Sequence, residues 1–202
     1  MRPDTLLAFD TSAAHCAAAL LSGGRVWNRV EPMDKGQAER LFPMLENLLA
    51  EAGVDWADLT GIAVGTGPGN FTGVRIAVAA ARGLALSLGI PAVGVTRLEA
   101  LAHGHPRPVT VIEDARRGEV YVQRFTKAGA GVAGLTAPGG VVEGAVTGSA
   151  AGTNALPPRM PLCEAMLQIA RDGQPPRPRP APFYLRGADA APPSDPPPVI
   201  LP

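Results

Sequence analysis

Residues 65–75 read GTGPGNFTGVR, a glycine-rich stretch between the apolar run TGIAV and the long small-residue run IAVAAARGLALSLG. A loop of this kind ahead of a helix is where backbone amides gather around a phosphate. A Walker A loop needs a Gly-Lys pair followed by Ser or Thr, and none occurs here. A dinucleotide fingerprint needs a third glycine after Gly67 and Gly69, where Thr72 stands. It also needs a carboxylate closing the next strand, and that strand ends GVTR with no acid before Glu99. A bare helix N-terminus capped by Thr72 keeps an anion site open. The greater weight lies with a ligand-free reading, in which Gly67, Gly69 and Gly73 let strand and helix pass closely and Pro68 stiffens the turn.

Other chemistry is sparse. Asp10 closes a strand and precedes Thr11 and Ser12, so it is the one carboxylate placed to meet a nucleotide's metal; capping the following turn is its simpler role. Neither Ser12 nor Thr72 has a nearby histidine signature that would make it a nucleophile. His103 and His105 flank Gly104 in a loop and read as surface residues. Glu113 and Asp114 are adjacent on a strand, face opposite ways and make no working pair. Cys16 and Cys163, far apart and without ligand spacing, fit a reducing compartment. No metal site is expected.

The elements that would position these residues are legible in the first half. Strands are predicted at 5–10, 15–22 and 25–30, the last two joined by Gly23-Gly24 as a hairpin. A helix follows over 36–52, with Pro43 placed near the first turn of its main segment. Next come a doubly buried strand at 60–65, a helix at 72–88, a strand at 91–95 and a short helix over RLEALAH. Three meandering strands followed by two crossovers predict a mixed sheet of the ribonuclease-H type. The helix 72–88 is apolar nearly all round, so it needs burial on more than one side. Strands at 108–114 and 119–125 begin a second, similar unit. A Gly/Ala-rich stretch, 128–153, follows with one strand-like piece near 144–148, then a helix at 161–171 and a proline-rich tail running extended.

Bulk composition narrows the function. Eighteen Lys plus Arg balance eighteen Asp plus Glu in 202 residues, so no general field draws nucleic acid or anionic membrane. Hydrophobic residues are 46% and aromatic residues 4%, which asks for a core of Ala, Val, Leu and Ile. Acidic residues at 4 and 10 break the apolar region a signal peptide needs, and no uninterrupted apolar run approaches a bilayer span. A cytoplasmic protein without membrane partners is expected.

LLAFDTSAAHCAAAL, GTGPGNFTGVRIAVAAARGLAL, IPAVGVTRLEALA, DARRGEVYVQRF and PFYLR, taken in order, resemble the TsaB (YeaZ) family. The resemblance implies an α/β actin/hexokinase/Hsp70-like (ASKHA) fold: a ribonuclease-H-like lobe over 1–98 and a reduced C-terminal lobe with a proline-rich tail over 99–202. It also implies a non-catalytic scaffold and dimerisation subunit of the bacterial machinery that makes threonylcarbamoyladenosine in tRNA. That subunit binds and activates its paralogue TsaD or pairs with itself, joins TsaE in a larger assembly, and meets tRNA through the complex. ATP and metal then belong to the partner subunits. Carried onto this chain, the interface falls on Leu41, Leu45, Leu48, Val74, Ile76, Ala77, Ala80, Ala81 and Leu84, while Asp10, Thr11, Gly67, Gly69 and Thr72 are a vestigial nucleotide site. Many relatives have histidine where Gln37 stands, so no role rests there. The small second lobe predicts an incomplete interlobe cleft, and TGSAAG (147–152) resembles a worn second phosphate turn. The alternative is a small ATP-binding enzyme using Asp10 and the 65–75 loop. A peptidase reading has no nucleophile–base pair to support it.

Overall fold

A computed structural model of the protein describes residues 4–140, 144–173 and 178–187. The first sheet has the order β3-β2-β1-β4-β5. Strands β1 (Leu6–Asp10), β2 (His15–Ser22) and β3 (Arg25–Pro32) form an antiparallel meander, and the Gly23-Gly24 turn has both residues at positive φ. Strands β4 (Gly61–Gly65) and β5 (Ala92–Val95) extend it in parallel with β1. A second sheet pairs β6 (Val109–Asp114) with β7 (Val120–Thr126) antiparallel and with β10 (Ala145–Thr147) parallel. Two short strands, β8 (Gly129–Ala130) and β9 (Gly134–Thr136), also pair with β7. They lie in the Gly/Ala-rich stretch where only the piece at β10 was expected. The expected α/β arrangement of two mixed sheets, the second one reduced, is what the chain adopts.

Residue size decides how each face of the first sheet is covered. Leu7, Phe9, Leu20, Ile62 and Val64 point to one face and meet α1 (Gln37–Ala52) and α2 (Phe71–Leu88). Ala8, Ala17, Ala19 and Ala63 point to the other, where such small side chains let α4 (Leu162–Asp172) lie close. So α4 packs on the N-terminal sheet through Cys163, Met166 and Leu167. A division of the chain at 98/99 therefore does not follow the packing. The short α3 (Arg97–Ala102) covers the second sheet with Leu98, Leu101 and Ala102 against Val109, Val111, Tyr121 and Phe125.

Helix α1 runs unbroken through Pro43, its seventh residue, so the expectation that this proline lies near a first turn is corrected. The ring faces solvent, where the missing amide costs least. By length and composition α2 is apolar enough to cross a bilayer, yet Val74, Ala77, Val78 and Ala81 bury its inner side against the sheet. That buried side revises the interface expectation. Leu41, Leu45, Leu48, Val74, Ala77 and Ala81 are all within the chain's own core; only Ile76, Ala80 and Leu84 of the nine retain partial exposure. Of the expected proline-rich tail, 174–177 and 188–202 lie outside the described residues.

Candidate functional site

Asp10 ends β1 at the carboxyl edge of the parallel strands, the edge where open α/β sheets bind ligands. Its carboxylate is fully buried. Oδ1 accepts from the Ser12 amide and hydroxyl, both at 3.0 Å, and lies 2.8 Å from His15 Nε2. Oδ2 has no hydrogen-bond partner among the described residues and faces Gly65, where even a β-carbon would overlap it. Burial alone would raise this carboxyl, but His15, Arg97 and Ser12 together outweigh it and hold the group below its usual value. A depressed carboxylate stabilises the fold above its unfolded value, and that stability is lost as pH falls through the folded one. Asp10→Asn is accordingly expected to flatten the acid limb of a plot of urea midpoint against pH, below about pH 4.

The glycine loop is locked onto the Asp10 turn. Asn70 N donates to Ser12 O at 2.6 Å, and Thr11 Oγ1 donates to Gly73 O at 2.6 Å. A side chain at Gly69 would overlap Ser12 O, and one at Gly73 would overlap Thr11 O. Gly67 takes φ +93. These glycines are therefore explained by backbone contact within the chain. The N-cap of α2 is Asn70, whose Oδ1 accepts from Gly73 N at 2.9 Å; Thr72 is exposed in the first turn, so the Thr72 cap is corrected. Of the five residues expected at a vestigial site, Asp10, Thr11, Gly67 and Gly69 converge, and Thr72 stands apart. The second turn, 147–152, is likewise committed: Ser149 N donates to Glu113 Oε1 at 2.6 Å and Ala150 N to Ile112 O at 3.0 Å.

Between the sheets lies a cleft of about 600 Å³. Its walls come from Ser12, Asn70, Phe71, Arg97, Glu113 and Tyr121, closed by Phe183–Gly187. Arg97 crosses the floor: Nε donates to Glu113 Oε2 at 2.7 Å, while Nη1 is buried without a partner. Burial opposes the Arg97 charge, but Glu113 and Asp10 more than offset it. The PFYLR segment returns to the loop, with Phe183 N donating to Thr66 O at 2.7 Å and Tyr184 stacked 4.7 Å from Phe71. At the rim, Arg116, Arg117 and Gly118 are three successive left-handed residues, at φ 62, 54 and 71. Each arginine carries roughly 1–2 kcal/mol of backbone strain there.

Two histidine readings change. His105 is buried, with both ring nitrogens unpartnered among the described residues, and is not a surface residue. His15, which sequence reasoning passed over, orients Asp10; its position as the first residue of β2, one short turn after Asp10, was the available signal. Glu113 is buried and Asp114 exposed, so the two do face apart. Ser12 gives its hydroxyl to Asp10 rather than to His15, and burial pushes the Cys163 thiol well up, so neither is activated as a nucleophile. Among the described residues no group of three or more His, Cys, Asp or Glu is placed to hold a metal.

The sequence matches the family model of TsaD, tRNA N6-adenosine threonylcarbamoyltransferase, over residues 31–139. Escherichia coli TsaB, a tRNA threonylcarbamoyladenosine biosynthesis protein, is 37% identical over 127 residues, 60% of this chain and 55% of that protein. The Bacillus subtilis protein of the same name is 40% identical over 121 residues, 58% and 53% of the two chains. The chain thus spans about half the length of the curated relatives it matches. Among solved structures, YeaZ from Pseudomonas aeruginosa superposes with a TM-score of 0.63 at 36% identity, covering 72% of this chain and 75% of that one. A second Pseudomonas aeruginosa structure, of an uncharacterized protein with similarity to peptidase YEAZ, gives 0.75 at 31% identity, covering 91% and 100%.

Proposed function

From the premise that this chain belongs to the TsaB (YeaZ) family, within the TsaD-type sequences, we propose that it is a non-catalytic scaffold subunit of tRNA threonylcarbamoyladenosine synthesis. It acts by pairing with a TsaD-type transferase, in an assembly that TsaE joins, and leaves ATP and metal to those partners. The observation that carries this reading is Gly83. It stands in the interior of α2 at an ordinary helical φ, is exposed, and among the described residues a side chain added there would meet nothing within 4 Å. A mid-helix glycine costs about 0.5–1 kcal/mol relative to alanine, and nothing in the packing of the described residues requires it. What it does permit is close approach of a second helix.

Around Gly83 the outer side of α2 carries exposed Ala79 and Leu86, the latter 86% exposed, and is flanked by Ile76, Ala80 and Leu84, which are half-buried against the chain's own core. This face replaces the buried residues as the docking surface for the paralogue, or for a second copy when the chain is alone. Gly83→Ala should stabilise the isolated chain by about 0.5–1 kcal/mol in urea titration. The same change, and more strongly Ala80→Asp or Leu84→Asp, should weaken the complex with TsaD on size exclusion. Undiminished complex formation by the aspartate variants would overturn the assignment. A charge at Ala77 is no test of it, since that methyl is fully buried.

A further inference from the structure

We propose that the rim of the interlobe cleft, built by the turn 115–118 and the stack of Phe71 on Tyr184, is a direct contact for single-stranded RNA within the assembly. The inference rests on the proposed role in tRNA modification and adds a surface to it. A protein of zero net charge has no general attraction for RNA, so any direct contact has to be local. The cleft supplies such a place. Arg97, Arg116 and Arg186 line it, Arg117 is next in the turn, and Arg75 lies 3.8 Å over the Phe71 ring with Nε donating to Tyr184 Oη. Against these five stand Glu113 and Glu119, already paired with Arg97 and Arg186, and Asp114, which accepts from the Arg116 amide.

Two features single out the turn. Arg116 and Arg117 are both exposed and are the non-glycine residues at positive φ among those described. The conformation is held from several sides: Ala115 N donates to Glu119 O, Glu119 N to Arg116 O, and Arg186 bridges Glu119 and the Arg116 carbonyl. Glycine or asparagine would take these angles with less strain, so the backbone of the turn does not itself call for arginine. Guanidinium forks match phosphate oxygens, and the neighbouring ring pair, with Tyr184 37% exposed, offers a stacking face for an unpaired base. The combination of cations on a rigid tip and an aromatic platform beside it favours a nucleic acid strand over an acidic peptide, which would use the charges and leave the rings idle.

The test uses the full chain in complex with its TsaD partner, a fluorescent full-length tRNA transcript and a poly-glutamate peptide. The double variant Arg116→Gly/Arg117→Gly should melt at a higher temperature than the parent, because strain is released. Its tRNA affinity should fall roughly tenfold at 0.15 M salt, with the log–log salt slope shallower by about 1 for each arginine removed. Arg116→Lys/Arg117→Lys should keep most of the slope. Tighter melting with unchanged tRNA affinity would overturn the inference. So would lost binding of poly-glutamate, or lost pairing with TsaD, while the tRNA slope stays as in the parent. If the parent chain does not pair with TsaD at all, the underlying reading fails first, and size exclusion before the titration distinguishes that case.

Discussion

Alanine at Gly73 should destabilise the protein by about 3 kcal/mol or more. The added carbon would overlap Thr11 O and crowd the Thr11 carbonyl carbon and Ser12 Cα. All three are backbone atoms of a fully buried turn, so no side chain can swing away to make room. Separation of the two segments is also opposed by the bonds that join them, Thr11 Oγ1 to Gly73 O and Asn70 N to Ser12 O. The same substitution ten residues along the same helix, at Gly83, meets open space and should stabilise. Opposite signs for the two variants in urea denaturation would show that one glycine serves the fold and the other serves something outside it. A mild effect at Gly73 would mean that the two turns are not rigidly joined, and the loop's reading as a structural clamp would fall with it.

The turn could be read from sequence as a turn because glycine at close approach and glycine at a phosphate share one signal, and the missing lysine and acid decided between them. Which residue capped the helix was harder: Asn70 and Thr72 are both good caps two positions apart, and only the path of the loop selects Asn70. The orientation of α2 was illegible for a different reason. A helix apolar nearly all round has no polar face to mark its outside, so periodicity found two apolar sides and could not say which met the sheet. Small strand residues held the missing information, since the alanines of β1, β2 and β4 make one sheet face shallow and the leucines make the other deep. The contacts of Asp10 with His15 and of Arg97 with Glu113 left no trace of comparable strength. They join different elements, and single polar residues carry no period.

Removing Arg97 should produce the second large loss, and the way its cost is shared with Glu113 tests how the lobes are joined. Arg97→Met leaves the Glu113 carboxylate, 5% exposed, facing a cleft floor without its cation, and takes a positive charge away from buried Asp10. Stripping one partner from a buried pair typically costs about 3–5 kcal/mol. Glu113→Gln neutralises the acid while an amide oxygen can still accept from Ser149 N, so it should cost less alone. In the double variant neither member of the pair leaves an uncompensated buried charge behind. Its total loss should therefore fall short of the sum of the two single losses by about 2 kcal/mol. Additive losses would mean that solvent in the cleft already screens the pair, as at exposed ion pairs. Coupling of the predicted size would identify Arg97, held at the start of α3 by its amide donating to Gly67 O, as the link that ties the glycine turn of one lobe to β6 of the other.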